Sequence, residues 1–115
     1  MNGLAKVLSE IDCDRFIESA AIISRDGVLI NAIPENKNMN TFAAMTATII
    51  GAAEAALSEI GKKEPEWIII DTGKCRIVVM GSGPKTLLTA VIKPDVAIEF
   101  ALAEIGKTAN KIKLI

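Results

Sequence analysis

Residues 40–63 read NTFAAMTATIIGAAEAALSEIGKK, an unbroken helical pattern with apolar residues on two opposite sides. At about 100° per residue, Phe42, Met45, Ile49, Ala53, Ala56, Leu57 and Ile60 share one side. Ala44, Ala47, Thr48, Gly51, Ala55 and Ser58 share the other, and almost all of them are small. A surface helix of a solitary protein needs only one apolar stripe. The bulky side is expected to cover a sheet and the small side to let a second backbone come close. The stretch therefore points to a protein that associates.

Outward from this helix the pattern changes period. Upstream, Leu4, Val7, Leu8 and Ile11 recur at helical spacing, predicting a short helix over about Gly3 to Phe16. Residues 17–25 and 28–33 read as strands around Asp26-Gly27, a pair suited to the positive φ of a tight hairpin. Asn38 or Asn40 is placed to cap the long helix. Downstream, Gly61 and Pro65 end it. Trp67 to Ile70, Cys75 to Met80 and Thr86 to Ile92 read as three more strands. Pro94-Asp95 opens a last helix with Asp95 as its expected N-cap, and Ile98, Ala101, Leu102, Ile105, Ala109 and Ile112 form its inner stripe.

The order is α-β-β-α-β-β-β-α. Short connections between consecutive strands make the five-stranded sheet mainly antiparallel. Several strands are apolar on both faces, so helices must cover both sides: the long one on one, the terminal pair on the other. The expectation is an α/β fold of the α+β type, a three-layer α/β/α sandwich formed by a single domain over residues 1–115.

Composition narrows the function. Half of the 115 residues are hydrophobic, which leaves more apolar area than a small solitary domain hides easily. A net charge of −1 gives no basic field for nucleic-acid phosphates. Uninterrupted apolar runs fall far short of the roughly 20 residues that span a bilayer, and the N-terminus does not read as a signal peptide, so a cytoplasmic location is expected. Cys13 and Cys75 lie far apart and read as packing thiols in a reducing compartment. There is no histidine, which removes the commonest general base and metal ligand.

Two motifs tempt and fail. Gly81-Ser82-Gly83-Pro84-Lys85-Thr86 ends like a phosphate loop, but Pro84 and Val79 stand where that loop needs glycine, and a strand follows instead of a helix. It reads as a hairpin turn. Glu10, Asp12, Asp14 and Glu18 have neither the glycine kink nor the terminal bidentate glutamate of a calcium loop, and read as a solvated surface. No residue qualifies as catalytic, cofactor-binding or metal-ligating. Trp67 fits core packing or an interface anchor.

In this order and spacing the chain resembles the roadblock, or dynein light chain-like, family, whose modules share a profilin-like sandwich. The likeness rests on the opening helix with Leu4, Val7, Leu8 and Ile11, and on Ala20-Ala21-Ile22-Ile23-Ser24 running into Arg25-Asp26-Gly27-Val28-Leu29-Ile30. It rests equally on the small-residue helix Ala43 to Ala53 and on the strands Cys75–Met80 and Thr86–Ile92 before an amphipathic helix. It covers roughly Gly3 to Ile112. The resemblance implies a homodimer, or a family heterodimer, in which the second helix and third strand meet their counterparts. Mapped here, that contact uses Ala44, Ala47, Thr48, Gly51 and Ala55 with Trp67, Ile68, Ile69 and Ile70. It also implies a non-catalytic adaptor or scaffold that binds and regulates a Ras-like small GTPase. Pro94-Asp95 departs from the glycine-containing loop often found before the last helix, and neither Arg25 nor Arg76 has the setting of an arginine finger. The other use of such a sandwich, a small-molecule sensor or longin-like module, would need a pocket of about 300 Å³ or more with convergent polar groups.

Overall fold

A computed structural model describes residues 3–11, 15–34 and 39–115. Its elements are α1 (Gly3–Ser9), β1 (Ile17–Ser24), β2 (Leu29–Ile33), α2 (Met39–Glu59), β3 (Trp67–Asp71), β4 (Arg76–Gly81), β5 (Thr86–Ile92) and α3 (Ile98–Lys113). The strands form one antiparallel sheet in the order β2-β1-β5-β4-β3. The expected order and sandwich are present. Three of the strand contacts are hairpin neighbours, while the central β1–β5 pairing joins opposite ends of the chain.

Strand periodicity divides the core in two. Ala20, Ile22, Val78, Leu88 and Ile92 face α1 and α3, where they pack with Leu8, Phe16, Ile105 and Ile112. Their sequence neighbours Ala21, Ile23, Val79 and Leu87 face α2 and pack with Ala43 and Ile50. The cluster on the α2 side has fewer buried residues. It also buries Thr89, whose hydroxyl has no hydrogen-bond partner among the described residues.

Several element ends differ from the sequence expectation. The first helix stops at Ser9 and not near Phe16. Phe16 is instead drawn to the sheet, where its carbonyl accepts from the Lys93 amide at 2.9 Å. Asn38 lies outside the described residues, and Asn40 is already inside α2. That helix ends at Glu59, and Gly61 takes a φ of +70° while the Lys62 amide donates to the Leu57 carbonyl. At α3 the N-cap is Ala97 and not Asp95, with no side-chain cap, because the helix begins only at Ile98.

The β1–β2 turn is also more specific than a two-residue hairpin. Ser24 closes on Val28 at 2.8 Å, and Gly27 alone has positive φ, at +91°. This is a three-residue loop of the kind built from a type I turn and a left-handed glycine, with a register irregularity at Ile22/Ile23.

Candidate partner-binding face

The bulky stripe of α2 is not the one that covers the sheet: Phe42, Ala53 and Leu57 are only half-buried, and the rest of it is exposed. Ala43, Thr46 and Ile50 are the buried residues of the helix, with Ala47 half-buried beside them. Met45 is 56% exposed and Ile49 39% exposed. The helix is rolled about a quarter turn from the orientation that side-chain size alone favours. Its outer face is consequently Met45, Thr48, Ile49, Ala52, Ala55 and Ala56, all exposed or nearly so. No charged residue occurs between Met39 and Ala53. An ordinary solvent-facing helix surface is charged or polar. This one is not.

The small residues separate into two groups. Ala44 and Ala47 receive the protein's own β1–β2 turn: a Cβ placed on Gly27 would lie 3.0 Å from the Ala44 Cα and 3.6 Å from the Ala47 Cβ. Thr48, Gly51 and Ala55 face outward. The Thr48 hydroxyl donates back to the Ala44 carbonyl at 3.0 Å, which leaves its methyl for contact. A Cβ added at Gly51 would meet nothing within 4 Å, so the gap there belongs to the surface and not to internal packing.

The second part of the expected contact is β3, an edge strand of the sheet. Ile68 and Ile70 are half-buried on the α2 side, Ile68 against the inner cluster. Trp67 and Ile69 point to the opposite face, where they are 42% and 39% exposed. The strand carries one charge, Asp71 at its end, whose carboxylate accepts from the Gly73 amide at 2.8 Å. An edge this apolar is ordinarily covered or blunted.

Met45 and Ile49 stand outward, against the expectation that their side of the helix covers the sheet. The signal that could have found them is the neighbouring pair Ile49-Ile50, which leaves two inner stripes open at almost equal periodicity.

Electrostatics enter at the flank of α2. Arg25 Nη1 pairs with Glu54 Oε2 at 3.1 Å, and Nη2 donates to the Gly83 carbonyl at 3.3 Å. Arg25 also borders an open cleft of about 680 Å³ between α3 and the β3–β4 hairpin, floored by Trp67 and Met80 and walled by Leu102 and Gly106. Lys63, Glu64, Glu66, Asn110 and Lys113 also line this cleft. Gly81 to Thr86 forms the β4–β5 hairpin, with the Ser82 amide donating to the Thr86 carbonyl at 3.1 Å. Of the acidic group, Glu10 pairs with Lys111 at 3.3 Å, Glu18 is exposed, and Asp12 and Asp14 lie outside the described residues. Cys75 is half-buried with its thiol free; Cys13 also lies outside them.

Among the described residues α2 is the helix long and apolar enough, by length and composition, to cross a membrane. Its buried residues are Ala43, Thr46 and Ile50, which face the sheet.

The Roadblock/LC7 domain model matches residues 4–93. An uncharacterized protein of Methanocaldococcus jannaschii is 30% identical over 113 residues, covering 94% of this chain and 92% of that one. Among solved structures, the Roadblock/LC7 domain from Streptomyces avermitilis superposes with a TM-score of 0.84 at 14% identity, covering 99% of this chain and 95% of the other. The gliding protein MglB from Thermus thermophilus gives a TM-score of 0.81 at 15% identity, covering 99% and 93%. At such identities the two structures bear on the fold alone.

Proposed function

This chain belongs to the Roadblock/LC7 domain family, and from that premise we propose that it is a dimeric, non-catalytic adaptor that binds and regulates a Ras-like small GTPase. The observation that carries the reading is the uncharged outer face of α2, where Met45 and Ile49 stand exposed among alanine, threonine and glycine. Burying such a face stabilises a complex at roughly 25 cal/mol per Å² of apolar surface, less the entropy cost of association. A second copy of the same helix meets it without like-charge repulsion over residues 39–53. The apolar edge of β3 supports edge-to-edge pairing of two sheets in the same dimer.

In this reading Thr48, Gly51 and Ala55 form the close part of the helix contact, with Met45 and Ile49 packing around them. Ala44 and Ala47 act behind it by seating the β1–β2 turn. Trp67 to Ile70 supply the strand seam. The regulatory half rests on the family, some of whose members bind Ras-like small GTPases and regulate them. A cytoplasmic location belongs to the same proposal, on the short apolar runs of the sequence.

Sedimentation equilibrium tests the dimer, with twice the chain mass expected and a monomer at high concentration overturning it. Capture from a native extract, with the bait identified separately as dimer or monomer, tests the partner. Recovery of a Ras-like GTPase in one nucleotide state supports the reading; capture of nothing but the chain itself removes the GTPase from it.

A further inference from the structure

The geometry points to the β1–β2 turn as the device that fixes the roll of α2, and with it the face this helix offers, with Arg25 and Gly27 as its positioning residues.

Two inner stripes compete along α2. The one in use is Ala43, Thr46, Ala47 and Ile50. About one residue's rotation away lies Phe42, Met45, Ile49, Ala53 and Ile60, which is bulkier. Apolar area alone would turn the second stripe inward. Something other than hydrophobic burial therefore holds the helix as it is.

Two contacts depend on this roll. The first is steric. The turn backbone at Gly27 approaches so closely that its missing Cβ would sit 3.0 Å from the Ala44 Cα. Alanines at 44 and 47 leave the room required. Rolling the bulkier stripe inward would bring Ala43 and Thr46 under the turn in their place, and the branched Thr46 would fill the room that Ala47 now leaves. The second is electrostatic. Arg25 reaches Glu54 at 3.1 Å across a separation of 29 residues. The same rotation would carry Glu54 away and set Ala53 opposite the guanidinium.

The turn can act as a stop because it is itself fastened to the sheet. The Arg25 amide donates to the Lys85 carbonyl at 3.1 Å, and its Nη2 to the Gly83 carbonyl at 3.3 Å. Gly81 makes room for that guanidinium: a Cβ there would stand 3.2 Å from Nη2. The path from the β4–β5 turn through Arg25 to α2 is continuous. The roll stands on these contacts alone; only its consequence for binding rests on the proposed partner face.

Thiol labelling reads the roll directly. Ile49→Cys or Ile50→Cys is placed in the full chain with Cys13→Ser and Cys75→Ser. Ala55→Lys is added to oppose self-association, and mass by sedimentation scores the dimer reading separately. With the turn intact, a maleimide modifies position 49 at least about tenfold faster than position 50, since a buried thiol is inert. With Arg25→Gln and Gly27→Ala together, the order inverts. Should that variant not fold by circular dichroism, Arg25→Gln with Glu54→Gln leaves the backbone unaltered and narrows the ratio in the same direction. An unchanged ratio in a folded variant overturns the proposal. Equal fast labelling at both positions also overturns it, because the helix has then detached and not rolled.

Discussion

Ile49 and Ile50 are adjacent in α2, yet Ile50 is 3% exposed against the sheet while Ile49 is 39% exposed on the outer surface. The boundary between the inside of this protein and its proposed partner surface runs between them. Ile50→Ala removes side-chain atoms from the α2 layer and is expected to cost about 2–4 kcal/mol of folding stability. Ile49→Ala is expected to cost the folded chain within about 0.5 kcal/mol while weakening self-association. Urea denaturation of both variants, paired with sedimentation, checks the contrast. Similar stability losses would put Ile49 in the core as well.

Gly51 tests the close helix contact without disturbing the fold. A Cβ there meets nothing within 4 Å, so Gly51→Ala should raise stability by up to about 1 kcal/mol through helix propensity. Gly51→Leu should stay folded and sediment as a monomer at concentrations where the parent is dimeric. An unchanged mass for the leucine variant would take Gly51 out of the contact.

The hydroxyl of Thr89 is fully buried on the α2 side of β5 with no hydrogen-bond partner among the described residues. Burying such a group costs on the order of 1–3 kcal/mol. Thr89→Val keeps the shape and removes the polar atom, and is expected to raise the denaturation midpoint by the equivalent of about 1 kcal/mol. A loss of stability would show that the hydroxyl is satisfied in solution.

Ala97 occupies the N-cap of α3 in an extended conformation with no side-chain cap. Ala97→Asp supplies an acceptor for the first free amides and a charge suited to the helix dipole, worth about 0.5–2 kcal/mol. Asp95→Ala, outside the helix, should change stability by less than about 0.5 kcal/mol. Thermal melts separate the two, and a larger effect at Asp95 would return the cap to that residue.

Periodicity and turn chemistry were enough for most of the architecture. The i, i+3, i+4 recurrence of Ile98, Ala101, Leu102 and Ile105 marks α3. The two-faced apolar runs of β1 and β4 require helices on both sides of the sheet. Gly27 and Gly61 mark where the chain reverses, through the positive φ each adopts. Element ends were less legible because they answer to distant partners. Phe16 leaves the first helix to meet Lys93, far along the chain.

Of the proposed contact, residue pattern alone shows that α2 carries more apolar surface than one sheet face can take, and that β3 lacks charge along most of its length. Which residues fill those roles depends on long-range packing. A helix repeat of 3.6 residues leaves Ile49 and Ile50 equally eligible for the interior. The choice between them comes from outside the helix, from Gly27 pressed against Ala44 and Arg25 reaching Glu54. The central β1–β5 pairing is likewise a long-range event, fixed when strands from the two ends of the chain satisfy each other's backbone hydrogen bonds.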